Sequence, residues 1–373
     1  MKLLFLHSIS AGSGANVHIN EFMEAATGLG AEVRCLGQAT QSVRIGKQKV
    51  RTPVPQALKD LVYITSDLRY LARAEALLAN WRPDAVYFRG APYAAYGRKL
   101  ALKHKLPLFY ELNAPYPDEH LEFHGGHFGS HARRVEAVNR RTARRIFVVS
   151  RQLADILVSQ GVDRERITVV PNAVTLERFD PTPRTDDGQV RFGFVGSLHI
   201  WHGIDILLQA FEEVLAAVPN AHLHIVGAGP QSAEVAAAAR RSAHPDRLHV
   251  HGSMGHDQIP AFLHDMDVLL APYPFLPRFY FSPLKLFEYL ASGRAIAASA
   301  IGQIEEILAD DVDGRLLPPG DVEALARCCI ELAGDAGCRL RLGTAARRTA
   351  NAHTWEQNAR TILGHIADGI VSR

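Results

Sequence analysis

Cysteine is scarce: Cys35, Cys328, Cys329 and Cys338 are the only four in 373 residues. None forms a Cys-x-x-Cys pair or a Cys/His array. That argues against a disulfide framework or a zinc site and fits a reducing cytosol. No apolar run approaches the ~18 residues of a membrane span. The start, MKLLFLHSIS, is apolar only from Leu3 to Leu6 and then turns polar, which suits a first strand better than a signal peptide. Overall charge is also slight, at a formal +2. No aromatic residues interleave with the arginines as nucleic-acid binding would need, so no nucleic-acid partner is expected. With 47% hydrophobic and 21% charged residues the composition is that of a globular protein. The length exceeds one ordinary core, so two domains are expected.

What is present centres on Phe279 to Gly293, FYFSPLKLFEYLASG. It follows a buried-type strand, DVLLA (267–271), and a Pro-aromatic loop. Ser282 is a good N-cap and Pro283 suits a first helical position, so a helix is expected to open there. Leu284, Phe287, Leu290 and Ala291 recur at three and four residues and give it a core face. A strand, loop and helix at the carboxyl edge of a parallel sheet is where α/β proteins hold phosphorylated ligands. The first N–H groups of such a helix are unpaired, and its dipole favours an anion. Alone, the segment also reads as a core helix with a solvated Lys285 and Glu288.

Lys2–Leu6, a helix from about Asn16 to Leu29 and a strand Val33–Leu36 form a βαβ opening with glycines in its first turn. The turn is not G-x-G-x-x-G, and no acidic residue closes the second strand, so a dinucleotide fingerprint is poorly supported. Residues 40–60 read as a basic, Pro-bearing loop, followed by a helix expected from Asp67 to Asn80. The loop ELNAPYPDEH (111–120) crowds polar groups at a strand end. Asn113 and Glu119 stand out there, against the plainer reading of turn chemistry. Between His131 and Arg151 seven arginines face one acid, Glu136. Val135, Val138, Thr142 and Ile146 give an apolar stripe, with Arg133, Arg134, Arg140, Arg141, Arg144 and Arg145 covering the rest. That is either a solvated helix face or a surface for anionic lipid headgroups or an anionic acceptor. Residues 1–185 hold 26 Lys/Arg against 17 Asp/Glu, and residues 186–373 hold 15 against 22. DPTPRTDDG (180–188) reads as the linker. A second strand–helix series starts at Val190.

Several segments, in this order and spacing, resemble retaining glycosyltransferases of family four. VVPNAVTLERFDP (169–181) is similar to the family's "VVPNGVDxxxFxP" and GSLHIWHGIDILLQAF (196–211) to "GSFxxWKGxDxLxxAF". IVGAGP (225–230) is similar to "VGxGP", SPLKLFEYLASGRAIA (282–297) to the "SPxKxFEYMAxGxPVV" variant, and ELNAP (111–115) to "ExNAP". The likeness covers essentially the whole chain. It implies an α/β fold of the GT-B type: two Rossmann-like doubly wound domains facing each other across a cleft. They would be an acceptor-side domain at 1–180, a nucleotide-sugar domain at 190–350, and a helix at 354–373 crossing back to the first.

The resemblance also implies roles. Glu288 would bind the ribose hydroxyls of a nucleotide-sugar donor. Backbone N–H groups of Leu284, Lys285 and Leu286, beside Ser282, would meet its diphosphate. Gly14 and Ala15 would approach from the opposite wall, with Ser253 and Met254 near the nucleobase. Ser197 and His202 stand where the family often has Arg and Lys against the diphosphate. Tyr280 stands where it has the first Glu of its Glu-x7-Glu motif, and Asn113 where many members have His. An uncharged Ser and a His of reference pKa ~6.5 do not neutralise a diphosphate as Arg and Lys do. The charge would then come from a protonated His202, from Lys285 or from Arg278; otherwise activity is lost. His202, Lys285 and Asn113 are the candidate catalytic residues. Asp265-Met-Asp267 and Asp311-Val-Asp313 read as caps and turns, and neither a metal nor a separate cofactor is expected. The implied activity is transfer of a sugar from a UDP- or GDP-type donor to a glycan, lipid-linked or small-molecule acceptor. It would retain configuration and serve polysaccharide or glycolipid synthesis in the cytoplasm, at the inner face of the membrane through the Arg133–Arg145 helix. A sugar-nucleotide epimerase and a non-catalytic sugar-nucleotide-binding partner subunit remain open alternatives.

Overall fold

Runs such as Leu3-Leu4-Phe5-Leu6 and Leu269-Leu270-Ala271 are buried at consecutive positions, not alternate ones. Strands covered on both faces require this, and the chain builds two parallel sheets of that kind. The computed structural model describes residues 1–8, 14–37, 44–45, 48–49 and 55–371. Contacts divide it into two units. Unit 1 is Met1–Pro171, Tyr280–Ser282 and Trp355–Arg373, and unit 2 is Asn172–Phe279 and Pro283–Thr354.

The first run of elements is β1 (Lys2–His7), α1 (Gly14–Gly28), β2 (Glu32–Gly37), β3 (Arg44–Ile45), β4 (Gln48–Lys49), α2 (Gln56–Leu78) and β5 (Ala85–Arg89). It continues with α3 (Tyr96–Lys103), β6 (Leu108–Leu112), α4 (Tyr116–His124), α5 (Gly129–Thr142), β7 (Arg145–Val148), α6 (Arg151–Ser159) and β8 (Ile167–Val169). The second run is β9 (Val190–Val195), α7 (Ile204–Ala217), β10 (Ala221–Val226), α8 (Ser232–Arg241), β11 (Leu248–Gly252), α9 (Ile259–His264) and β12 (Val268–Ala271). It closes with α10 (Leu284–Ser292), β13 (Ala295–Ser299), α11 (Gln303–Ile307), β14 (Arg315–Leu317), α12 (Val322–Gly334), α13 (Ala336–Ala350) and α14 (Trp355–Val371).

In unit 1 six parallel strands take the order β2-β1-β5-β6-β7-β8. One face packs on α1 and α14 through Ile19, Phe22, Ala359, Ile362 and Ile366. The other packs on α2, α3 and α6, and Tyr280 is part of that core. Unit 2 has the order β11-β10-β9-β12-β13-β14, also parallel. Successive strands run outward from β9 to one edge and then return to its other side at β12. This reversal is the switch point at which open α/β sheets bind ligands. Along β10 and β11, His222, His224, His249 and His251 lie on one face, with His222 Nδ1 3.2 Å from His249 Nε2 and His224 Nδ1 3.1 Å from His251 Nε2.

Three local expectations change. First, α2 begins at Gln56, well before Asp67. Its buried positions include Asp60 and Asp67, which hides the apolar period. Asp60 is fully buried, holding His120 Nε2 at 2.8 Å, the His127 N–H at 2.8 Å and the Tyr93 hydroxyl at 3.1 Å. Second, α5 buries Ala132, Glu136, Asn139 and Arg140, not the Val135–Val138–Thr142 stripe. Arg140 bonds Gln160, Arg144 bonds the Gly369 carbonyl from beyond the helix, and Arg145 opens β7 and bonds Thr168. Arg133, Arg134 and Arg141 are exposed. Third, Asp180–Gly188 lies inside unit 2, because Arg184 ties it to the Gln189 carbonyl and to Asp267. The division between the units falls at Pro171/Asn172. Much of the loop expected over 40–60 lies outside the described residues.

Candidate functional site

The loops after β9 and β12 flank the switch point of unit 2. The first runs from Gly196 through a single turn at Ile200–His202 to Gly203. Gly203 has φ 65°, and any Cβ there would collide with the Pro272 carbonyl oxygen, so only glycine lets the two loops pack together. The second loop leads into α10. Pro283, with φ −69° and ψ 110°, takes the N-cap position expected for Ser282, and no side chain caps the helix. The Leu286 N–H donates to the Pro283 carbonyl at 3.0 Å. The N–H groups of Leu284 and Lys285 have no acceptor among the described residues. These are the unpaired donors that make a helix start attract an anion.

Lys285 is the unusual side chain here. It is only 8% exposed, and its Nζ has no hydrogen-bond partner among the described residues. The amine lies 4.1 Å from the centroid of the Phe194 ring and 5.3 Å from that of Tyr273. A Cβ on Gly196 would come within 2.6 Å of Nζ, so the bare backbone of the β9 loop covers the amine. Burial pushes this amine down to about 7, with Glu288 acting in the opposite direction. A buried donor without an acceptor costs about 1–3 kcal/mol, and the two ring faces offset part of that.

His202 Nδ1 lies 2.5 Å from the Ser197 carbonyl oxygen and 3.2 Å from Ser197 Oγ. A carbonyl only accepts, so Nδ1 carries the proton and Nε2 an open lone pair. Burial, then the nearby Lys285, hold this imidazole down to about 3, against the opposing effect of the Ser197 bond. Burial thus favours the neutral imidazole in the unliganded protein, and only an anion placed beside it would favour the charged form expected for His202. His202 pins the loop, packed edge-on to Tyr273 at 5.7 Å. Glu288, one turn along α10 and 6% exposed, receives His256 Nε2 on Oε1 at 2.8 Å. Ser253 is exposed and Met254 half-buried in the loop after β11 that also carries His256.

Ser197, His202, Leu284, Lys285, Leu286, Glu288, Ser253 and Met254 thus all lie on loops or a helix start beyond the carboxyl ends of β9, β11 and β12. Gly14 and Ala15 open α1 in unit 1, and the residues before them, 9–13, lie outside the described ones. Ser282 belongs to unit 1 as well. Asn113 follows β6, also in unit 1, and is tied down. Oriented to its partners, its amide nitrogen donates to Glu111 Oε1 at 2.7 Å and its oxygen accepts from Arg89 at 2.7 and 3.2 Å. Glu111 also meets Arg89 Nη1 at 3.0 Å, His18 Nε2 at 3.0 Å and the Tyr87 hydroxyl at 2.7 Å. Burial raises this carboxyl, but His18 and Arg89 outweigh it and hold it at about 2. Burial and Arg89 lower the neighbouring His7 to about 4.

Sequence reasoning singled out neither His256 nor the Phe194–Tyr273 ring pair, nor the Arg89–His18 pairing of Glu111. Each arises from elements distant in the chain, and none belongs to a local motif. Tyr280, at the position of the family's first Glu, is a core residue whose carbonyl accepts from Ser150 Oγ at 2.7 Å. The two Asp-x-Asp pieces are structural. Asp267 binds Arg184 and the Arg191 N–H. Asp313 receives the Ala309 N–H and Thr349 Oγ1, and Asp311 pairs with Arg341. Among the described residues no group of three or more His, Cys, Asp or Glu is arranged to hold a metal ion.

Comparison with known proteins follows the same division. Residues 189–335 match the family model described as "Glycosyl transferases group 1", and residues 13–173 match "Glycosyl transferase 4-like domain". The D-inositol 3-phosphate glycosyltransferase of Xylanimonas cellulosilytica is 27% identical over 235 residues, 59% of this chain and 55% of that protein. The chain spans about half the length of the first curated relatives it matches. Sucrose-phosphate synthase from Thermosynechococcus elongatus has the same fold, with a TM-score of 0.77 at 17% identity over 100% of both chains. So does Anabaena Alr3699/HepE in complex with UDP, at 0.73 and 17% identity over 99% of this chain and 100% of that one. With the two family models together spanning most of its length, the chain belongs to the glycosyltransferases of the family-four type, built on the GT-B fold.

Proposed function

We propose that this protein transfers a sugar from a nucleotide diphosphate sugar to an acceptor hydroxyl, with retention of configuration and without a metal ion. The observation that carries this reading is the start of α10, where two N–H groups and the buried amine of Lys285 lack acceptors among the described residues. Glu288 supplies two acceptor oxygens suited to a ribose diol, exchanging His256 for sugar hydroxyls. The barrier lies in breaking the anomeric C–O bond, which puts charge on the departing phosphate. Fixed N–H dipoles and one cation aimed at that phosphate would stabilise it without reorganisation. In front-face transfer the leaving phosphate takes the acceptor's proton, so no side-chain base is required. Of the relatives, Alr3699/HepE was solved with UDP, which supports testing uridine donors first.

A panel of UDP-, GDP- and dTDP-sugars, with and without EDTA, tests the reading. Hydrolysis or transfer that survives EDTA supports it. An isomerised sugar would indicate an epimerase. Of the two glutamates in ELNAPYPDEH (111–120), Glu111 is consumed by Arg89, His18 and Tyr87 and held well below the usual range, whereas burial raises Glu119, so an epimerase would have to work through Glu119. Binding without turnover would indicate a non-catalytic partner subunit. For the acceptor we favour a lipid-linked or anionic molecule at the cytoplasmic face of a membrane. Exposed Arg133, Arg134 and Arg141 on α5, with exposed Leu58, Leu61, Val62 and Leu68 on α2, support an anionic lipid surface as the place of work. Among the described residues no helix is long and apolar enough to cross a membrane. Flotation with anionic vesicles that salt abolishes would support this placement; flotation indifferent to lipid charge would remove it.

A further inference from the structure

The β9 loop, Gly196–Gly203, holds no lysine or arginine, yet a diphosphate brings two negative charges. Lys285 lies against that loop, and Arg278, on the loop before α10, is exposed. Lys285 lies on α10, whose first N–H groups are unpaired, with its Nζ against the Gly196 backbone and the rings of Phe194 and Tyr273. Among the described residues no carboxylate, carbonyl or hydroxyl accepts from it. Surface lysines are solvated and buried ones normally ion-paired; this one is neither. We propose that Lys285 is the residue that neutralises the donor diphosphate, and that it takes up a proton from solvent as the donor binds.

The inference rests on the donor-site reading above and adds a residue and a coupling to it. The coupling follows from what surrounds the amine. From β9 and the loop after β12 it meets two aromatic rings, which attract a cation weakly. From the β9 loop it meets neutral His202, itself near His199. On its own helix Glu288 pulls the amine towards its charged form, but the carboxylate's Oε1 is engaged by His256. The Tyr289 hydroxyl is occupied with the Val195 N–H and the Leu270 carbonyl. The amine is thus poised near neutrality, at about 7. A diphosphate within reach favours the ammonium form and raises that value. Linkage then fixes the sign. Below pH 7 the amine already holds its proton, and donor affinity is flat. Above pH 7 a proton must be gained on binding, and Kd rises by up to tenfold per pH unit until the liganded pKa is reached. An arginine or lysine on the loop, charged throughout, would give no such slope.

UDP-glucose and GDP-mannose are suitable probes, because their diphosphates are diesters and do not titrate near neutral pH. Calorimetry of the intact protein in buffers of differing ionisation enthalpy, at pH 6 to 8.5, should show uptake rising from near zero to about one proton. Kd should rise in parallel. Lys285→Met should weaken binding at least tenfold at pH 6.5 and abolish both uptake and slope. Lys285→Arg should flatten the slope while keeping affinity at pH 8. The calorimetric result on the native chain stands even if a variant fails to fold. Donor binding that Glu288→Ala weakens, with no proton uptake and a flat Kd, would overturn the Lys285 proposal and leave the donor site intact. No binding of either probe, or binding indifferent to Glu288→Ala, would overturn the donor site itself and the proposal with it.

Discussion

The carboxyl edges of the two sheets handle charge in opposite ways. In unit 1 the cluster beyond β5 and β6 is closed: Arg89, Glu111, His18, Tyr87 and Asn113 pair off with one another. In unit 2 the edge beyond β9 and β12 is open. Two helix N–H groups and a buried amine lack partners among the described residues, and Glu288 is held by a half-exposed histidine. The difference is one of degree: single atoms such as Arg89 Nε and Glu119 Oε2 are left over in unit 1, whereas at the start of α10 the amine and two N–H groups lack acceptors among the described residues. Unpaired buried groups cost stability, and a protein keeps them where a ligand supplies what is missing.

The largest effect should come from opening the closed edge. Arg89→Met leaves Glu111 buried without its guanidinium and should cost about 3–5 kcal/mol of unfolding free energy. Adding Glu111→Gln should recover part of it. Urea denaturation of the three proteins would show this, and an Arg89→Met protein as stable as the parent would refute the contrast. Next is Gly203→Ala, which forces a side chain into the Pro272 carbonyl at positive φ. A loss of about 2 kcal/mol in the same assay is expected, along with a displaced His202 loop and slower turnover. Glu288→Ala should lower donor affinity by roughly 10- to 100-fold, the value of a charged hydrogen bond, with an unchanged melting curve; equal affinity would withdraw the ribose assignment.

Acid should act on the two units in sequence. His202 and His224 in unit 2 lie at about 3 in the folded protein against 6.5 when free. A depressed folded value means the stability is complete above pH 6.5 and is lost as pH falls towards 3. His222, His249 and His251 are lowered too, each first by burial. In unit 1, Glu111 gives stability above 4.5 that is lost as pH falls towards about 2, and His7 is its main histidine with a large depression. Hydrogen exchange at pH 7 and pH 5, corrected for intrinsic rates, should therefore show unit 2 loosening more. Equal loosening would mean the histidine ladder is not the weak point. The smallest effect belongs to the surface. Arg134→Gln should change stability by less than about 0.5 kcal/mol while reducing flotation with anionic vesicles.

Much of this was readable before any coordinates. Consecutive apolar runs at Leu3–Leu6 and Val268–Ala271, separated by amphipathic helices, announce parallel sheets, and SPLKLFEYLASG announces a helix, whose start proves uncapped. Other features were hidden for physical reasons. The first half of α2 buries Asp60 and Asp67 in hydrogen bonds, so its buried face does not look apolar. Helix α5 buries Glu136 and Arg140 for the same kind of reason, and burial raises the Glu136 carboxyl to about 7. Lys285 in sequence is an ordinary helical lysine. Only the meeting of β9, the loop after β12 and α10 strips it of water and partners.

Tyr280 has a further consequence. It is 4% exposed within the core of unit 1, although the residues on either side of the segment Tyr280–Ser282, Phe279 and Pro283, belong to unit 2. The last helix, α14, likewise fills a face of unit 1 from the far end of the chain. Neither half can therefore be excised with a single cut. A fragment ending at Pro171 would expose the slot for an aromatic ring and a whole helix-sized apolar face, and should precipitate unless residues 280–282 and 355–371 are supplied in trans.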